Sequence, residues 1–168
     1  MHSRADERPV AAIDVGTNTA LLLVARERAG AFEVIEDRCE SPRLGQGLAS
    51  TGRLLDEPVQ RTLAALALFR ERLDALGVEP ERVRAVGTAC LRRAQNPELL
   101  IDPARERLGL SIEVLPEEDE AEMGFRAVTG DGAAADALVL DVGGGSSEVV
   151  SDGGRGLVSA PVAPYSHP

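Results

Sequence analysis

Two short segments of the chain combine acids, glycines and hydroxyl side chains in a pattern suited to holding phosphate. The first is Ile13-Asp14-Val15-Gly16-Thr17-Asn18-Thr19; the second is Leu140-Asp141-Val142-Gly143-Gly144-Gly145-Ser146. Each reads as a strand ending in Asp-Val-Gly, a turn of small residues and a returning strand. Glycine permits the backbone angles that aim several N–H groups at one point, and it lets an anion come close. Ser and Thr hydroxyls add donors. The acid before each turn is unsuited to touch phosphate itself, because like charges repel. Its chemistry is to hold Mg2+ or to orient a water. For one such segment, a tight hairpin whose Asp satisfies its own turn is an equally good account. Two of them, separated by a full α/β unit, favour a pair of jaws around a phosphate chain and a metal. A dinucleotide fingerprint is disfavoured, since Ser-Ser-Glu-Val-Val after the glycines reads as strand where that fingerprint opens a helix.

The rest of the composition narrows the chemistry further. All 18 basic residues are Arg, so any direct side-chain grip on phosphate is an Arg fork, although the Arg total itself reads as composition bias. Arg92, on the turn after Val86-Gly87-Thr88, is placed for such a grip; a solvated helix-face charge is the plainer reading, and the better one for Arg93. The formal net charge of -10 excludes a broad basic surface for nucleic acid. No apolar stretch approaches the roughly 20 residues a membrane helix needs, and residues 1–9 form a polar, flexible N-terminus unlike a signal peptide. Cys39 and Cys90 lack any metal-ligand spacing and read as small buried apolar residues of a reduced, cytoplasmic protein.

The elements that position these turns follow from periodicity. Strands are expected at residues 10–14, 20–26 and 32–38, with a turn at Ala29-Gly30 and with Phe32, Val34 and Ile35 facing inward. Asp56 offers an N-cap for a helix in which Val59, Leu63, Leu66, Phe69 or Arg70, Leu73 and Leu76 recur at helical spacing and Gly77 closes the end. Pro58 sits in its first turn, where a missing N–H is harmless. A strand at 83–86, a helix from 88 broken at Asn96-Pro97, a helix at 98–108, a strand at 111–115 and a helix at 116–128 complete the first unit. The order is βββαβαβα. The Gly/Ala-rich stretch 129–136 reads as a domain boundary, strands at 137–141 and 147–151 open a second, similar unit, and the three prolines near the end suit neither strand nor helix. The expected organisation is therefore a flexible 1–9, a first domain at 10–130, an incomplete second domain at 136–159 and an irregular tail at 160–168.

Four blocks give the chain a family resemblance: AAIDVGTNTALLLVAR, VGTACLRRAQN, PEEDEAEMGFRAV and LVLDVGGGSSEVV, in this order and spanning residues 11–150. Together they resemble the exopolyphosphatase / guanosine pentaphosphate phosphohydrolase (Ppx/GppA) family of the actin-like ATPase superfamily. The resemblance implies an α/β fold: an actin-like, ribonuclease H-like domain with a mixed five-stranded sheet, followed by the opening hairpin of a second such domain. It implies hydrolysis of a terminal phosphoanhydride, from inorganic polyphosphate or guanosine pentaphosphate, assisted by Mg2+. Carried over by position, Glu120 is the acid that activates the attacking water, and Asp141 and Glu148 are further catalytic acids. Asp14, Gly16, Thr17, Asn18, Arg92, Gly143, Gly144, Gly145 and Ser146 contact phosphate. Asp14, Asp141 and Glu148 are the metal ligands.

The chain departs from the family at Pro116-Glu117-Glu118-Asp119-Glu120-Ala121, where the family has Ser-Gly-x-Glu-Glu-Ala, and after Ser159, where the family continues with the rest of its second domain. A lone hairpin is not stable in water. The second unit is therefore expected to lean on the first or on another copy, with dimerisation open to it and with little or no activity for the chain as it stands. Two other functions stay open: a binding protein that holds phosphate or polyphosphate without turnover, and a phosphotransferase of the same superfamily.

Overall fold

The computed structural model describes residues 7–130, 137–144, 146–151 and 156–161. Strands β1 (Val10–Val15), β2 (Ala20–Arg28) and β3 (Ala31–Glu40) form an antiparallel meander, and β4 (Val83–Gly87) and β5 (Ile112–Val114) add to it in parallel. The mixed five-stranded sheet runs β3-β2-β1-β4-β5. Its alternation sets the buried face: Ala11, Ile13 and Val15 on β1 lie beside Ala20, Leu22 and Val24 on β2, all buried.

Helix α1 (Leu48–Thr51) is a single turn; α2 (Asp56–Ala75) is the main cover of that face, packing Val59, Leu63, Leu66, Phe69 and Leu73 into the core. Two short helices follow β4, α3 (Ala89–Arg93) and α4 (Glu98–Leu108), and α5 (Glu117–Thr129) follows β5. Gly77 ends α2 at φ 66°, with Val78 N–H bonded to Leu73 O at 2.9 Å and Gly77 N–H to Asp74 O at 3.1 Å. At the other end the expected cap is wrong by one residue. Leu55 occupies the N-cap without a side-chain bond, and Asp56 lies inside the first turn, where its charge and that of Glu57 suit the helix dipole.

The β2–β3 hairpin turns at Ala29 and Gly30, both at positive φ (52° and 81°), which matches the right-handed twist of the strands. The inward-facing assignment beyond this turn fails. Phe32 is 73% exposed, Val34 is 58% exposed and Ile35 is also exposed. At Phe32 the hairpin runs past the end of β1, whose pairing with β2 stops at Val10–Ala25, while Val34 lies opposite Ala25 on β3, the edge strand of the sheet. Cys39, on the same edge strand, is exposed rather than buried, whereas Cys90 is buried as expected.

A second sheet contains β6 (Val139–Val142), β7 (Ser146–Ser151) and β8 (Gly156–Pro161), antiparallel in that order. The expected hairpin is thus a three-strand meander, and Ala160 and Pro161, placed in an irregular tail by the sequence, continue β8. Proline is tolerated there because β8 is an edge strand. This sheet leans on the first unit: Val139 and Val150 pack with Ala121 and Phe125 of α5 in a small separate core. The boundary segment at 131–136 and the tail from residue 162 lie outside the described residues.

Candidate functional site

The parallel strands β1, β4 and β5 end side by side, which in α/β sheets is where ligands bind. Thr88 N–H reaches Val15 O at 3.3 Å, and Leu115 N–H reaches Gly87 O at 3.0 Å. Three connections therefore start from one edge: the turn after β1, α3 after β4, and α5 after β5.

The first turn is built to stay put. Gly16 N–H bonds to Thr19 O at 2.9 Å and closes it. The carbonyls of Thr17 and Asn18 are taken by Gly45 N–H at 2.8 Å and Arg43 N–H at 3.0 Å, while the amides of Thr17 and Asn18 make no backbone bond among the described residues. That division holds the carbonyls back and leaves donors for an anion. Gly45 is needed for the approach, since a Cβ there would strike the Thr17 methyl group. Beneath the turn, Cys90 Sγ–H donates to Gly16 O at 3.5 Å; burial, partly offset by a bond with Thr17, pushes the thiol up to about 12. It is a structural, inert group.

The second turn docks on the first. Gly144 lies against the Asn18 side chain so closely that a Cβ would overlap the amide. Gly143 is exposed, Gly145 falls outside the described residues, and of Ser146 only the strand backbone is described. Asp141 and Glu148 are direct cross-strand partners, hence on one face of the sheet, the same face that buries Val139 and Val150 against α5. Glu148 is 6% exposed and Asp141 is exposed.

Arg92 projects from the last turn of α3. Its Nη1 donates both to Leu115 O at 2.9 Å and to Glu120 Oε2 at 2.5 Å. Both side chains are largely shielded, 19% and 27% exposed. Glu120 belongs to the acidic first turn of α5, which begins at Glu117 after Pro116, so loss of the family's Ser-Gly pair still leaves a helix start there. Of the acids on that turn, Glu120 is the one that meets Arg92.

Asp14 is the electrostatic centre. Burial first, then the charges of Glu120 and Asp141, raise its carboxyl from 3.8 to about 6. Its Oδ1 is buried and accepts no hydrogen bond among the described residues. Acids from β1, α5 and β6 thus bear on one point beside one arginine. An orphaned carboxylate oxygen under the field of two further acids fits a divalent cation in charge. Among the described residues no three His, Cys, Asp or Glu side chains are gathered into a ready-made metal cage. A Mg2+ ion, which commonly takes one or two carboxylates and completes its shell with water and phosphate oxygens, suits this arrangement.

The structure brings Asp14, Asn18, Arg92, Glu120, Asp141 and Gly144 into one neighbourhood. Sequence reasoning missed the Leu115 carbonyl that anchors Arg92 and the Gly45 that seats Thr17. The first is a backbone group with no signature. The second had one, a Gly inside Arg43-Leu44-Gly45-Gln46-Gly47, but nothing tied it to a turn 28 positions earlier.

Residues 23–165 match the model of the Ppx/GppA phosphatase family. The chain is 38% identical over 141 residues to a guanosine-5'-triphosphate,3'-diphosphate pyrophosphatase of Photobacterium profundum, covering 83% of this chain and 28% of that protein. Among solved structures it resembles the Ppx/GppA family member of Aquifex aeolicus (TM-score 0.78, 31% identity, 92% of this chain and 51% of the other). It also resembles an exopolyphosphatase from Cytophaga hutchinsonii (TM-score 0.81, 29% identity, 92% and 50%). The chain spans about half the length of these solved relatives and less of the curated one.

Proposed function

The chain belongs to the Ppx/GppA phosphatase family, and from that premise we propose that it supplies the phosphate-binding part of a hydrolase releasing terminal phosphate from inorganic polyphosphate or guanosine pentaphosphate. The observation that carries this reading is the convergence of Glu120 and Asp141 on the buried carboxylate of Asp14, with Arg92 alongside. Hydrolysis of a phosphoanhydride asks a protein for positioning and charge neutralisation more than for covalent help.

In this reading the amides of Thr17 and Asn18 and the glycine turn at 143–145 hold the phosphate chain from two sides, and the Arg92 guanidinium takes its negative charge. Glu120 accepts a proton from a water as the water oxygen bonds to the terminal phosphorus; the bridging oxygen leaves with the shortened chain. Asp14, Asp141 and Glu148 are the residues that would hold Mg2+, which when bound neutralises phosphate charge. Among the described residues no helix is long and apolar enough to cross a membrane.

The test is phosphate release from long-chain polyphosphate and from guanosine pentaphosphate with Mg2+, by the full chain and by Glu120→Gln. Release that falls at least about 100-fold in the variant supports the assignment. Release equal in both removes Glu120 from the chemistry. A second reading, binding without turnover, is favoured by one observation: Leu140, Val142 and Val158 lie exposed on the outer face of the second sheet, so among the described residues the second unit has only one covered side. Saturable polyphosphate binding with no release would establish it.

A further inference from the structure

The contact between Arg92 and Glu120 joins the phosphate grip to the base, and its hydrogen-bond arithmetic is unusual. A guanidinium carries five N–H donors, two of them on Nη1. Both Nη1 donors are occupied, one by Leu115 O at 2.9 Å and one by Glu120 Oε2 at 2.5 Å. Leu115 is fixed in turn by its own N–H on Gly87 O at 3.0 Å, so the guanidinium is held from the β5 side and cannot simply swing away. An anion gripped end-on, through Nη1 and Nη2, has to displace one of these two acceptors, and Glu120, a side chain, is the one that can move while the Leu115 carbonyl is fixed in the backbone. The pair is mostly shielded from water, where leaving the arginine without an anionic partner is costly.

Resting on the phosphate-site reading above, we infer that Arg92 and Glu120 form a latch that the substrate itself opens. Without an anion, Glu120 is engaged by Arg92 through Oε2, which ties the carboxylate to the guanidinium. When a terminal phosphate reaches Arg92, it displaces Glu120. The released carboxylate remains on the first turn of α5, beside Asp14, free of the arginine and able to bond a water. The base is thus released from the arginine only when the group to be hydrolysed is in place. Arg92 acts through Glu120 as a positioning residue as well as on phosphate.

A double-mutant cycle tests this by binding alone, without any need for turnover. Tripolyphosphate is titrated calorimetrically, at fixed pH and ionic strength, into the full chain and into Glu120→Gln, Arg92→Ala and the double variant. The latch predicts about five- to tenfold tighter binding for E120Q, because the competing carboxylate is gone, and weaker binding for R92A. In the R92A background the E120Q gain should shrink to within about twofold. The Glu117→Gln variant, on the same helix turn, is expected to stay within about twofold of the parent, since its acid lacks the Arg92 contact. If E120Q tightens binding equally in both backgrounds, simple charge repulsion explains it and the latch is overturned. No gain from E120Q means a side-on grip that leaves the pair closed, and overturns it as well; so does the absence of tripolyphosphate binding in all four proteins. Should R92A not fold, Arg92→Lys, which keeps the charge without the fork, enters the same cycle. Coupled binding without phosphate release would keep the latch and sink the hydrolase reading, and release with additive binding would do the reverse.

Discussion

The two Asp-Val-Gly turns stand on meanders of equal design and opposite packing. Register makes the comparison strict: Val15 pairs with Ala20 as Val142 pairs with Ser147, and Asp14 faces Leu21 as Asp141 faces Glu148. Ile13, Val15 and Leu22 therefore correspond to Leu140, Val142 and Val149. The first three are fully buried beneath α2; Leu140 is 65% and Val142 71% exposed. The aspartate faces differ too. In the second meander that face is closed by α5 through Val139 and Val150, while in the first it carries the exposed Leu21 and Leu23 beside Asp14. Local sequence specifies strand, turn and register; burial is decided by which helix arrives, and α2 has no described counterpart on the second sheet.

The largest difference should appear in stability. Leu22→Ala removes a side chain from the main core and is expected to destabilise by about 2–5 kcal/mol, through lost transfer energy and an unfilled cavity. Leu140→Ala, on the uncovered face, should change stability by no more than about 0.5 kcal/mol and reduce self-association. Chemical denaturation of the two variants measures this directly. Equal losses would mean that the outer face of the second sheet is covered in solution, by another copy or by a further segment, and would break the contrast.

What was legible in the sequence follows the same division. The first meander, the α2 stripe and the β4-to-α5 series could be placed because their apolar periodicity coincides with a packed neighbour. Phe32 and Val34 show the failure of that signal: their alternation is strand-like, but they sit on the edge strand β3, where both side chains stay exposed. Ala160 and Pro161 show another, since prolines near the end hid a strand whose outer edge needs no donor. In the site, the two turns and their glycines were readable from residue types. Glu120 was not: among five acids at one helix start only family resemblance singles it out, and only the fold shows that it meets Arg92. Its partner's anchor, a backbone carbonyl at the end of β5, leaves no mark in the sequence at all.

The paired aspartates sharpen the comparison at smaller amplitude. Asp14 has its folded value raised to about 6 from 3.8, chiefly by burial. Between those values the folded chain keeps a proton that the unfolded chain has released, so stability falls as pH rises through this window, and the full penalty is present above it. Asp14→Asn is therefore expected to stabilise the metal-free chain at pH 7 by about 1–3 kcal/mol, with the gain fading to nothing below about pH 4. Asp141→Asn, at an exposed position, should give a change of no more than about 0.5 kcal/mol at either pH. Melting curves from pH 3.5 to 8 decide it: parallel curves for D14N and parent would mean that Asp14 is solvated, and the site would lose its charged centre.

The smallest effect concerns the two thiols, which report on the same packing without perturbing it. Cys90 lies under the first turn with its thiol pushed up to about 12, while Cys39 is exposed on the edge strand β3. At pH 8 a thiol reagent should modify one cysteine within minutes and the second only after denaturant is added. Because the Cys90 sulfur donates to Gly16 O, its protection is a direct gauge of whether the first turn stays seated. Polyphosphate binding across both turns should slow Cys90 modification further and leave Cys39 unchanged. A Cys90 that reacts as fast as Cys39 in the absence of denaturant would show that the first turn opens freely, and the rigid half of the comparison would then lie in α2 and its core alone.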